Sequence, residues 1–221
     1  MTTLSTLKNF KKDGTKFTCL TCYDSMFARM MDKAQIDTIL IGDSLGMVVQ
    51  GHDSTLPVTV DDMAYHTANI ARSNKHALIL ADLPFMSYVT LPEAVANSRQ
   101  LMQAGAHVIK VEGGGELCDL VTTLAQAGTP TCVHLGLTPQ SVNVFGGYKI
   151  QGRGDEAADK LLADAKAVVA AGAALLVLEC VPACANVVTS SQSSLPPSIL
   201  ITCAPACINR RLLATASGKV T

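Results

Sequence analysis

Ile39-Leu-Ile-Gly-Asp43 is a short apolar run that closes on a carboxylate, and the pattern recurs along the chain. Leu78-Ile-Leu-Ala-Asp82, Val108-Ile-Lys-Val-Glu112 and Leu175-Leu-Val-Leu-Glu179 also end in acids, and Thr131-Cys-Val-His134 ends in an imidazole. Runs this short, separated by stretches with helical spacing, predict strands alternating with helices around a parallel sheet. Parallel strands that finish together turn their last residues toward one crevice, so these polar groups are expected to converge there from distant parts of the chain.

The stretches between the runs agree with this reading. Residues 24–33 place Met26, Phe27, Met30 and Met31 on one helical face, which predicts a stripe turned toward the core. Thr90-Leu-Pro-Glu93 has the form of a capping box with an early proline. Gly105, Gly128 and Gly172 each stand between a helical stretch and an apolar run, where a positive φ would end the helix. Gly113-Gly-Gly115 reads as a tight strand-to-helix turn. With residues 17–23 counted as a further run, six strands fit the scheme. Two segments fall outside it. Residues 47–60 contain Gly51-His-Asp-Ser-Thr55 and follow Asp43 closely, a good position for contact with substrate. Residues 136–154 are long for a simple connection and are equally readable as a lid or a surface excursion.

A length of 221 residues accommodates one large core. The 17 basic residues nearly balance 18 acidic ones, with no basic stripe to follow phosphates, so nucleic acid is not an expected partner. The first twelve residues lack the apolar core of a leader, and no run reaches the roughly 18 apolar residues of a membrane span, so a soluble, cytoplasmic protein is expected. The eight cysteines, several of them inside apolar runs, are expected to be reduced and buried rather than a disulfide scaffold. Cys19-Leu-Thr-Cys22 has redox or zinc spacing, but it lies inside an apolar run and reads as core.

Several longer motifs resemble one known family. Gly42-Asp-Ser-Leu-Gly-Met47, Gln50-Gly-His-Asp-Ser-Thr-Leu-Pro-Val58, Ala81-Asp-Leu-Pro-Phe85, His134-Leu-Gly-Leu-Thr-Pro-Gln140 and Phe145-Gly-Gly-Tyr-Lys149 resemble the 3-methyl-2-oxobutanoate hydroxymethyltransferase (ketopantoate hydroxymethyltransferase) family, from about residue 5 to Pro182. The resemblance implies an α/β fold of the (β/α)8 TIM-barrel type and a decameric assembly. It also implies transfer of a hydroxymethyl group from 5,10-methylenetetrahydrofolate to 3-methyl-2-oxobutanoate, with Mg2+, in pantothenate biosynthesis. By motif, Asp43 and Asp82 are the expected metal ligands, with Glu112 a further acid acting directly or through water. Ser44 and Lys110, together with Asp43 and Asp82, are expected to bind the substrate, and Glu179 to take the C3 proton. His134 is an alternative base or a polarising group.

After Glu179-Cys-Val-Pro182 the family motifs give way to a tail of different composition. The sequence therefore predicts a partial barrel catalytic domain over residues 1–182, with about six of eight strands, and a divergent, poorly ordered tail over 183–221. A reading-frame change near residue 183 would leave such a pattern. Ile199-Leu-Ile-Thr202 is the one stretch of the tail suited to an extra strand. Three functions stay open: the active transferase, an inactive truncated or frameshifted fragment of it, and another Mg2+-dependent enzyme of 2-oxoacids.

Overall fold

Successive side chains of a strand point to opposite faces of its sheet, and this alternation decides what reaches the site. Leu78 and Leu80 of β3 (Leu78–Asp82) share an apolar cluster with Val108 of β4 (Val108–Glu112), Cys132 of β5 (Thr131–Gly136), and Leu175 and Val177 of β6 (Leu175–Glu179). Their neighbours Ile79, Ile109, Val133 and Leu176 belong instead to the larger cluster that packs under the helices. Asp82, Lys110, Glu112, His134 and Glu179 are in phase with the first set. They therefore stand on the inner face, above its apolar layer.

The computed structural model describes residues 1–182 and the backbone of residues 199–203. Seven parallel strands lie side by side in chain order, with β1 (Cys19–Thr21) and β2 (Thr38–Ile41) before β3, and β7 (Ile199–Cys203) after β6. Helices cover the outside: α2 (Ser25–Lys33), α4 (Val60–Ala71), α5 (Leu91–Ala104), α6 (Cys118–Gln126) and α8 (Asp155–Ala170). Helix α1 (Leu4–Asp13) closes the inner layer, where its Leu7 is wholly buried among Leu78, Leu80, Val108 and Cys132. This is the wall of a (β/α) barrel. Among the described residues β1 and β7 do not pair with each other, so the wall is open.

The helix stops fall where the glycines predict, since α5 ends on Gly105 in the left-handed region, and Gly128 and Gly172 also have positive φ. Three expectations need correction. The first run shortens to β1, three residues long, because only these pair with β2. Thr90 occupies the N-cap of α5 without a side-chain cap hydrogen bond, so no capping box forms there. The apolar face of α2 is not core, because Met26, Phe27 and Met30 are each more than half exposed and only Met31 packs on the main cluster. Helical spacing identifies the stripe but not what covers it, and α2 follows β1 at the open side of the wall. The stretch of the tail suited to an extra strand forms β7, which pairs along the full length of β6. The remainder of the tail, 183–198 and 204–221, lies outside the described residues.

Candidate active site

Strand ends build the site. Register places Lys110 beside Asp82 and His134 beside Glu112 on neighbouring strands. Asp43 lies just past β2 in the turn into α3 (Leu45–Val48), and its backbone N–H donates to Asp82 Oδ2 at 3.2 Å. A Cβ on Gly42 would come within 2.9 Å of Ser44 Oγ, so glycine lets this turn stay tight. Gly136 has φ +92°, and a Cβ there would collide with the Glu179 carbonyl. Glycine thus allows the ends of β5 and β6 to close together, and Leu137 N–H donates to that carbonyl at 2.9 Å.

Asp43, Asp82 and Glu112 are all buried, and each offers an oxygen within 4.8 Å of the others. The Lys110 ammonium donates to Asp82 Oδ2 at 2.9 Å and to Glu112 Oε1 at 3.0 Å. It lies equally near Asp82 Oδ1, but without hydrogen-bond alignment, so that buried oxygen has no hydrogen-bonding partner among the described residues. His134 Nδ1 lies 3.2 Å from Glu112 Oε1, and its Nε2 lies 3.4 Å from Glu179 Oε2. A carboxylate, an imidazole and a second carboxylate therefore run in line from the buried acids to partly exposed Glu179. Ser44, at the N-cap of α3, has its Oγ 2.6 Å from Tyr23 Oη.

Electrostatics separate the acids. Burial opposes ionisation of Glu112, but Lys110 and His134 outweigh it and hold the carboxyl down to about 2. Burial, then the neighbouring charges of Asp82 and Glu112, push Asp43 up to about 8. Burial also raises Asp82 despite its ammonium partner. Lys110 is raised well above its ordinary value, since Asp82, Glu112 and Asp43 overcome the burial that would lower it. Glu179 is raised chiefly by burial, with His134 and Lys110 pulling the other way.

Three buried carboxyl groups around one ammonium would carry an excess of negative charge if all were ionised, which a divalent cation would offset, and hard oxygen donors of this kind suit Mg2+. The residues fit a divalent cation. Asp82 Oδ1 lacks a hydrogen-bonding partner, and Asp43 has one oxygen beyond the one taken up by Gln140. Both Glu112 oxygens are already engaged, by Lys110 and His134 on one side and the Gln140 backbone N–H on the other.

All seven residues named from the sequence, Asp43, Ser44, Asp82, Lys110, Glu112, His134 and Glu179, come together in this region. Sequence reasoning missed Tyr23, Tyr88 and Gln140. Tyr23 closes the first apolar run just as the acids close theirs, a signal that was present. Gln140 ends a motif but not a strand. Part of the long 136–154 segment is therefore neither lid nor excursion, because Gln140 is buried against Asp43 and Glu112. Beside the acids lies a cavity of about 510 Å3, lined by Phe85, Met86, Val89, Leu117 and Leu120 and reaching Glu112, Tyr88 and Gln140.

Comparison with known proteins gives the family and the fold. The sequence pattern of ketopantoate hydroxymethyltransferase matches residues 1–215, further into the tail than the motifs quoted above. The 3-methyl-2-oxobutanoate hydroxymethyltransferase of Psychrobacter arcticus is 90% identical over 183 residues, which cover 83% of this chain and 69% of that protein. That of Acinetobacter baylyi is 65% identical over 83% of this chain and 68% of its own length. Among solved structures, a phosphoenolpyruvate phosphomutase from Streptomyces platensis subsp. rosaceus superposes with TM-score 0.70 at 14% identity, over 96% of this chain and 77% of that one. A 2,3-dimethylmalate lyase of the PEP mutase/isocitrate lyase superfamily gives 0.64 at 16% identity, over 91% and 72%. These two likenesses establish the barrel fold. Family pattern and close relatives together cover most of the sequence that builds the site, and the chain belongs to the ketopantoate hydroxymethyltransferase family.

Proposed function

We propose that residues 1–182 carry a hydroxymethyltransferase site that makes 2-dehydropantoate from 3-methyl-2-oxobutanoate and 5,10-methylenetetrahydrofolate, in the cytoplasm. The observation that carries this reading is the buried trio Asp43, Asp82 and Glu112, with His134 hydrogen-bonded to Glu112 and standing 3.4 Å from a carboxylate of raised basicity at Glu179. Asp43 and Asp82 hold Mg2+, with Glu112 behind them. The cation supplies charge that stabilises the negative charge developing on the ketone oxygen. Ser44 and Lys110 hold the substrate carboxylate. Glu179 takes the proton from C3, with the His134 imidazole 3.4 Å from its carboxylate. The electron pair left on C3 forms the new bond to the one-carbon unit, with overall uptake of one water and release of tetrahydrofolate. The cavity bounded by Val89 and Leu120 lies beside the acids and is the place for the ring system of the carrier, since it falls in the 300–1,000 Å3 range of ligand pockets.

The test is exchange of the C3 hydrogen of 3-methyl-2-oxobutanoate in deuterated water, followed by NMR with and without Mg2+. Mg2+-dependent exchange is expected, and Glu179→Gln lowers its rate by about 10²–10⁴-fold, the usual contribution of a positioned base. Exchange that survives in Glu179→Gln removes the base assignment. A second reading, in which the chain keeps the geometry without turnover, is favoured by the outer edge of β1, unpaired among the described residues, and by the exposed face of α2. Cation binding with no exchange supports that reading.

A further inference from the structure

The side chain of Gln140 uses both of its N–H donors and accepts one hydrogen bond at its oxygen, and its partners belong to separate parts of the barrel wall. Nε2 donates to Asp43 Oδ2 at 2.9 Å, beyond β2, and to the Leu83 carbonyl at 3.0 Å, beyond β3. Oε1 accepts from the Tyr88 hydroxyl at 2.5 Å, in the connection between β3 and α5. Its backbone N–H donates to Glu112 Oε2 at 3.1 Å, at the end of β4. This orientation gives both amide hydrogens an acceptor, whereas a flip would set the amide oxygen against the Leu83 carbonyl and lose a donated bond.

We propose that Gln140 is a positioning residue for the cation site, which fixes Asp43 by one oxygen so that the other faces the ion and holds Glu112 in register beside it. The inference rests on the function proposed above and extends it to a residue that makes no contact with substrate or metal. An amide suits the task because it orients a carboxylate without altering the charge of the site. Lysine or arginine at this position would neutralise an acid and compete with the cation, and glutamate would have no proton to donate when ionised. Partners of metal ligands typically change metal affinity by 10–100-fold when removed.

Titration calorimetry of the whole chain with Mg2+, and electron paramagnetic resonance with Mn2+, test the assignment without relying on turnover. Gln140→Met keeps the volume of the side chain and the backbone N–H to Glu112, and removes only the amide. Its affinity for Mg2+ should fall 10–100-fold, with an altered Mn2+ spectrum, while the circular dichroism stays that of the parent. Tyr88→Phe removes the hydrogen bond that orients the amide and should weaken binding by a smaller factor. This second variant keeps the question open to refutation if Gln140→Met fails to fold. Affinities within about twofold of the parent in either folded variant overturn the proposal. A parent chain that binds no Mg2+ overturns the proposed function with it, whereas tight binding by parent and variant alike overturns the Gln140 role alone.

Discussion

Asp43 is the residue at which the site meets solution pH. An Asp ionises near 3.8 in an unfolded chain, and the folded chain holds this proton up to about pH 8. Between those values the unfolded state has shed a proton that the folded state keeps, so this group removes stability as pH rises and its full cost is reached above pH 8. A bound cation reverses the preference by favouring the carboxylate. The rise in melting temperature produced by Mg2+ should therefore be small near pH 4 to 5 and grow toward pH 8, measured by thermal denaturation across that range. A rise that shrinks with pH would contradict the assignment. Glu112 behaves oppositely. Its carboxyl is held down to about 2, so its stabilisation is complete above the ordinary value of 4.5 and is lost as pH falls toward 2.

At the scale of elements, strand periodicity was the legible part. Asp82, Lys110, Glu112, His134 and Glu179 could be read because each stands at or near the end of an apolar run, and period two places all five on one face. Gln140 could not be read this way, since a residue in a 3-10 turn (Pro139–Ser141) has no periodicity to report its direction. The same limit explains α2, where spacing correctly groups Met26, Phe27 and Met30 but says nothing of the neighbour they lack. The cavity is likewise assembled from three connections, after β3, β4 and β5, which no local pattern joins. Val89→Trp should fill it. Steady-state kinetics should then show a KM for methylenetetrahydrofolate raised by about tenfold or more, the cost of roughly 1.4 kcal/mol of lost binding, with C3 exchange in the absence of folate unchanged. Equal loss of exchange and transfer would place the carrier elsewhere.

At the scale of the whole molecule, the barrel wall is open between β1 and β7 among the described residues. The aligned part covers 69% of the Psychrobacter arcticus relative, so nearly a third of that protein lies outside the match. Among the described residues the outer edge of β1 has no partner strand, and Met26, Phe27 and Met30 are exposed on the same side. Edges and apolar patches of this kind promote association. Light scattering should find the chain in assemblies whose mass falls on Phe27→Glu, a change tolerated by α2 because Asp24 still caps it through the backbone N–H groups of residues 26 and 27. An unchanged mass would assign the contacts to another face.

The account depends on one ion held by acids from two different strand ends, with the oxoacid beside it. Crystals grown with Mn2+ and 3-methyl-2-oxobutanoate test this by the anomalous signal of the metal. The predicted map has a single peak in inner-sphere contact with Asp43 and Asp82, with the substrate C3 facing Glu179. A peak bound away from both aspartates, or none at saturating Mn2+, would contradict it.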